Sequence, residues 1–333
     1  MSHNLVISRW LLVILISIVL IVAVGGITRL TDSGLSMVDW EPIKGIIPPT
    51  SKSAWEKLFL EYQNFPEFKI KNSYMELSDF KAIFWWEYIH RIIGRIIGLI
   101  VLIPYTVFTI KGIFSIKQKK EYFFILMLVI LQGIIGWAMV KSGLNEKTFN
   151  GVGVSHYWLT LHLTLAFITF SYTLWQYLRL KFIHLKSIQV FDFNYTRLIY
   201  FLVFAQIILG ALLAGLDGGM ISNRYPLING EFYPYNATFF DFSNPHFLNF
   251  AHRWMPLLIL LYILFSFKKV YLKSSIYQIL FFKIILTMFL FQFLLGVLTV
   301  LTSVNIYIAV LHQLGSIVLL ASSTVLWFSF SSK

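Results

Sequence analysis

The chain contains no cysteine in 333 residues. Disulfides, thiolate nucleophiles, iron–sulfur clusters and cysteine zinc sites are therefore excluded. A bound metal has to be held by histidine, methionine, tyrosine or carboxylates. Charge is also scarce: 13% of residues are Asp, Glu, Lys or Arg against 58% hydrophobic, too apolar for a water-soluble domain. Acidic residues are the scarcer sign, 15 against 27 basic, which leaves a net charge of +12. In a soluble protein that excess suggests nucleic acid. Here no basic stripe is interleaved with base-stacking aromatics. The basic residues read as topology signals and lipid-headgroup contacts, and no nucleic-acid partner is expected.

What is plentiful is long apolar runs. Eight fit, at roughly 9–28, 86–110, 122–140, 156–178, 197–216, 249–267, 277–301 and 306–329, each near the ~20 residues a crossing needs. The expected class is an all-α integral membrane protein with eight transmembrane helices. The first run, from Trp10 to about Ile27, is too long for the core of a secretion signal, and no small-x-small cleavage site follows, so it is expected to stay as a membrane helix. Segments 111–121, 179–197 and 268–276 are rich in Lys and Arg, whereas the alternate short loops are poor in them. The positive-inside rule then puts both termini in the cytoplasm, with two large outer loops at about 30–86 and 217–248, in a multi-pass protein of the cell (inner) membrane.

The chain repeats itself. "QGIIG" from Gln132 matches "QFLLG" from Gln292, and "YWLTLHL" from Tyr157 aligns with "YIAVLHQ" from Tyr307. Gly25, Asp32 and Gly34 align with Gly210, Asp217 and Gly219, and "EYIHR" aligns with "NFAHR". Each match is short, but all occur in the same order. They predict two four-helix-bundle halves, 1–185 and 190–333, each with an even number of spans and hence parallel repeats about an axis along the membrane normal. Four of the eight histidines then stand at repeat-equivalent positions: His90, His162, His252 and His312, each near the outer end of a span. Two imidazoles facing each other across a bundle form a bis-axial heme site. The plainer reading is a hydrogen-bonded histidine inside the membrane, but four matched ones point to function. Zinc fits less well, because two histidines per half leave its ligand set incomplete. Gly94, Gly98, Gly133, Gly136, Gly210 and Gly296 leave room for a flat macrocycle, or serve ordinary close helix packing.

The halves differ at one chemically decisive place. Glu87 lies three residues before His90, on the same helical face, and the equivalent residue before His252 is Asn249. A carboxylate beside a ligand can carry protons and an amide cannot, so the first half is expected to do chemistry and the second to relay electrons. The plainer reading of Glu87 is an ion pair with Arg91 at i,i+4. Arg91 and Arg253, one after each histidine, are candidate partners of heme propionates or snorkelling interfacial residues. Asp32 and Asp217 read as turn or cap residues.

Four stretches carry a family resemblance: "GGITRLTDSGLSMVDWEPIKGIIPP", "WWEYIHRIIGR", "GLDGGMISNRYPLINGEFYP" and "NFAHRWMP". Together they resemble the cysteine-free class of heme A synthase, found in alphaproteobacteria and mitochondria, from Gly25 to about Ser316. The resemblance implies an enzyme that hydroxylates the C8 methyl of heme O twice. Loss of water then leaves the formyl group of heme A, which serves cytochrome oxidase. It implies a heme b on His252 and His312, the substrate heme on His90 and His162, and a catalytic carboxylate at Glu87. Heme O synthase is the partner expected from the pathway; the membrane electron donor stays unassigned and a homo-oligomer stays open. Read from the residues alone, a diheme electron carrier of cytochrome b type remains the rival, with a histidine-lined transporter behind it.

Overall fold

The computed structural model describes residues 3–38, 44–144, 153–185 and 193–331. The middle of the "VDWEPIKG" motif at 39–43, Lys147, Lys186 and the junction expected between the halves at 186–189 lie outside the described residues. Among the described residues there are ten α-helices: α1 (His3–Leu30), α2 (Lys52–Gln63), α3 (Pro66–Ile70), α4 (Leu77–Ile110), α5 (Ile116–Leu144), α6 (His156–Lys181), α7 (Phe193–Gly215), α8 (Pro245–Val270), α9 (Ile276–Leu301) and α10 (Ile306–Phe330). Seven of them, α1, α4, α5 and α7 to α10, are long and apolar enough to cross a membrane. This is the all-α integral membrane architecture that the apolar runs predict. α6, at 26 residues, is about 39 Å long. It is less apolar because Thr160, His162, Thr164, Thr169, Ser171 and Thr173 interrupt its aliphatic residues. Leu258, Leu261, Leu290 and Leu294 on α8 and α9 are exposed, as suits surfaces solvated by lipid tails.

The structure departs from the expected loop at 30–86. Instead of a continuous loop it contains α2, α3 and the first two turns of α4, which begins at Leu77 rather than near Trp86. The sequence explains this. Asp79 accepts a hydrogen bond from the Glu76 backbone N–H at 3.0 Å and fixes the start of α4. Ser51 caps α2 by accepting from Ala54 N–H. Trp55 and Tyr62 of α2 bury against Phe80 and Phe84 of α4. Within this cluster Glu67 is 4% exposed, and the Tyr62 hydroxyl donates to it at 3.1 Å. Burial first, and then repulsion from the Asp32 and Glu87 carboxylates, pushes Glu67 up to about 7. Burial also raises Tyr62.

The chain forms two compact units, 16–166 and 1–15 with 167–333. In the first unit α4 packs on α5 and carries α2. In the second, α9 packs against α10, and α7 packs against both α8 and α10. α8 starts at Pro245, with the Asn244 side chain accepting from the N–H groups of His246 and Phe247. Asn305 caps α10 in the same way through Tyr307 N–H. Both caps set a histidine two turns further in.

Candidate functional site

Each of the four repeat-matched histidines lies against a glycine of a neighbouring helix. A Cβ built on Gly25 of α1 would come within 2.8 Å of His90 Cε1, and one on Gly136 of α5 within 2.8 Å of His162 Cε1. The corresponding approaches are 2.7 Å for Gly210 of α7 to His252 and 3.0 Å for Gly296 of α9 to His312. No side chain fits at these positions, because the imidazole occupies the place a Cβ would take. All four histidines are half-buried.

In the second unit the rings of His252 and His312 have centroids 6.3 Å apart and planes at 88°. Two imidazoles on one metal, with metal–nitrogen bonds of ~2.0 Å, place their centres about 6.2 Å apart. The geometry of the second pair therefore fits a bis-imidazole metal centre. In the first unit His90 and His162 are seated on Gly25 and Gly136 in the same way.

Amides fix three of the rings. Gln132 Nε2 lies 3.2 Å from His162 Nδ1 and donates to the His162 carbonyl at 3.0 Å. Gln206 does the same for His252, at 2.9 and 2.8 Å, and Gln292 for His312, at 3.1 and 2.8 Å. At His252 the carbonyl contact has a local reason: Pro256, four residues on, has no N–H to complete the helical ladder.

The outer edges of both sites repeat as well. Arg91 donates to the Met37 carbonyl at 2.7 Å, and Arg253 to the Ser222 carbonyl at 3.1 Å. Met37 and Ser222 each lie twelve residues after the seating glycine, Gly25 or Gly210. Asp32 and Asp217, seven after the same glycines, both adopt left-handed backbone at φ 48° and 52°, the turn role expected of them. Arg253 also donates to the carbonyls of Arg224 and Leu227. Its Nε has no partner among the described residues.

Glu87 sits within this frame at 3% exposure. Ser36 Oγ and Met37 N–H each donate to its Oε2 at 2.7 Å, and Arg91 donates to its Oε1. The i,i+4 ion pair with Arg91 is therefore present. The carboxylate also fastens segment 36–37 to α4. Its twin Asn249 is as buried, at 1%. It makes one bond, from Nδ2 to the Gly218 carbonyl at 2.6 Å, and its Oδ1 has no partner among the described residues.

Sequence reasoning identified the histidines, Glu87 and both arginines. It used Gly25, Gln132 and Gln292 only as alignment marks, passed over Gln206, and missed what they touch. The signal was there: glutamine stands four residues before the seating glycine at 132/136, 206/210 and 292/296.

Paired histidines seated on glycines at matched places mark this chain as a helical membrane protein with two repeat-related pairs of candidate metal ligands. The chain belongs to the cytochrome oxidase assembly protein family, which it matches over residues 8–324. It is 40% identical to the heme A synthase of Pelagibacter ubique, covering 97% of this chain and 96% of the relative. It is 37% identical to that of Rickettsia africae, with 98% of each covered. The heme A synthase of Flavobacterium psychrophilum is 38% identical over 99% of this chain and the whole relative.

Proposed function

We propose that this multi-pass protein of the bacterial inner membrane is a heme A synthase, an oxidoreductase that converts heme O to heme A. The observation that carries the reading is the set of four glycine-seated histidines, together with full-length relatives of that name. Heme O is the substrate and heme A the product. The C8 methyl is hydroxylated twice and loses water to become a formyl group.

The finer assignment divides the work between the halves. His90 and His162 hold the substrate heme in the N-terminal half, 1–185. His252 and His312 hold a heme b in the C-terminal half, 190–333, and the 6.3 Å ring separation supports that pair as axial ligands. Heme b supplies one-electron transfer when bound. Glu87 is the carboxylate closest in sequence to the substrate ligand, and Asn249 in the twin cannot replace it in moving a proton. Arg253, with a spare buried Nε, suits a propionate; Arg91, already held by Glu87 and Met37, offers less to one. With α6 counted, eight spans give both halves parallel topology and put both termini in the cytoplasm, with the sites toward the outer face. Heme O synthase is the natural upstream partner.

The test is expression in a bacterium that makes heme O and lacks heme A, followed by extraction and mass analysis of the hemes. Heme A should appear. A strain that accumulates only heme O, despite folded protein in the membrane, would refute the activity.

A further inference from the structure

Four histidines share one local design, and the fourth departs from it. On α5, α7 and α9 the residue four before the seating glycine is glutamine, and each amide reaches both the imidazole Nδ1 and the backbone carbonyl of its histidine. On α1 that residue is Ile21. Its side chain lies near Gly94, one turn beyond His90 on α4. An isoleucine can neither donate to nor accept from a ring nitrogen.

The glutamines are built for more than filling space. The amide oxygens of Gln132, Gln206 and Gln292 have no hydrogen-bond partner among the described residues although they are buried. An orphaned buried acceptor costs roughly 1–3 kcal/mol, and the same cost recurs three times. At α10 room is kept for it: a Cβ on Gly315 would stand 2.1 Å from the Gln292 oxygen. Ligation of a metal through Nε2 leaves the ring proton on Nδ1, which then needs an acceptor. A turn of the amide presents Oε1 to that proton in exchange for the bond to the histidine carbonyl, and such partners fix ring orientation and raise ligand basicity. Holding the carbonyl explains Gln206 alone, beside Pro256. Positions 166 and 316 are Ala and Ser, whose N–H groups can complete the ladder at His162 and His312.

We infer that Gln132, Gln206 and Gln292 are positioning residues for three firmly held axial ligands, and that Ile21 leaves His90 the exchangeable one. This rests on the heme assignment above and deepens it. The C-terminal heme is locked on both faces. The N-terminal heme is locked on the His162 face and open to exchange on the His90 face, as a site that admits substrate and releases product requires.

The experiment uses the full-length, heme-loaded ferric protein and potassium cyanide, followed by the shift of the Soret band. His252→Leu, which removes the C-terminal heme, assigns the phases. The wild type should show a fast N-terminal and a slow C-terminal phase. Gln206→Leu or Gln292→Leu should speed the slow phase by ~10–100-fold, the range typical of lost partners to a metal ligand. Ile21→Gln should slow the fast phase by a similar factor, while the apolar control Ile21→Leu leaves it unchanged. Equal rates at both hemes in the wild type would overturn the inference. So would loaded glutamine variants with unaltered kinetics. A protein with no bis-histidine spectrum at all would refute the heme assignment itself, which is a distinguishable failure.

Discussion

Gly210→Ala puts the seating of the ligands to a quantitative test. A Cβ at Gly210 would stand 2.7 Å from His252 Cε1 and 3.4 Å from both ring nitrogens. Ordinary contact begins near 3.4 Å, so the ring has to retreat by at least about 0.7 Å. A metal–ligand distance tolerates only ~0.2 Å. The ring cannot swing aside freely, because Gln206 holds Nδ1 at 2.9 Å and His312 faces it. Overpacking by one methyl costs ~1–3 kcal/mol, so the helices should still fold while the axial bond is lost. The expected result is a membrane-inserted protein whose C-terminal heme content falls by ~10-fold or more, equivalent to about 1.4 kcal/mol in affinity. Heme content is read from the reduced bis-histidine absorption bands after purification in detergent. Gly98→Ala and Gly133→Ala serve as controls: nothing lies within 4 Å of either added methyl, and alanine favours a helix over glycine by ~1 kcal/mol. Full heme content and an unshifted spectrum in Gly210→Ala would refute the reasoning.

Other perturbations follow from the same geometry. Glu87→Gln should abolish heme A formation while heme binding persists, since the amide keeps the shape but cannot titrate; wild-type heme A yield in extracted pigments would remove Glu87 from the chemistry. Arg253→Met strands the carbonyls of Ser222, Arg224 and Leu227, so segment 217–248 should become more sensitive to limited proteolysis, with a loss of roughly 2–5 kcal/mol; an unchanged cleavage pattern would contradict that role. Glu67 is raised from 4.5 to about 7 in the folded state. Its proton is held more tightly folded than unfolded, so its stabilising contribution is complete below about 4.5 and is lost as pH rises through about 7, to an extent on the order of 3 kcal/mol. Hydrogen exchange in 52–72 should therefore quicken between those pH values, and Glu67→Gln should flatten the dependence; an equally steep profile in the variant would count against a buried protonated carboxyl.

How much could be read from the sequence depended on the length scale of the signal. Apolar runs report directly on helices that lipid surrounds: each expected span falls on a helix, seven of these are long and apolar enough to cross, and α4 begins nine residues before its expected start. The segment before α4 was misjudged because α2 is amphipathic and mixed in charge, with Lys52, Glu56, Lys57 and Glu61 on its exposed side. Hydropathy averages such a helix to a loop, and only its packing of Trp55 and Tyr62 on α4 reveals it. The histidines were legible because the chain repeats. Glu87 was legible because its twin is an amide. Beyond the Arg91 ion pair at i,i+4, what pairs with them was not, since the bonds from Ser36 to Glu87 and from Gln206 to His252 join residues 51 and 46 positions apart. Periodicity within a helix carries no record of such contacts. The glutamine–glycine spacing becomes meaningful only once a ring is seen against each glycine.

The central claim is that one half handles heme O while the other holds a permanent heme b. The measurement that tests it most directly is mass analysis of the hemes extracted from purified wild-type protein and from His252→Leu. The account predicts heme b together with heme O or heme A in the wild type, and loss of heme b alone in the variant. Heme b as the sole pigment, in constant amount whether or not the cell makes heme O, would instead identify a diheme electron carrier and contradict the account.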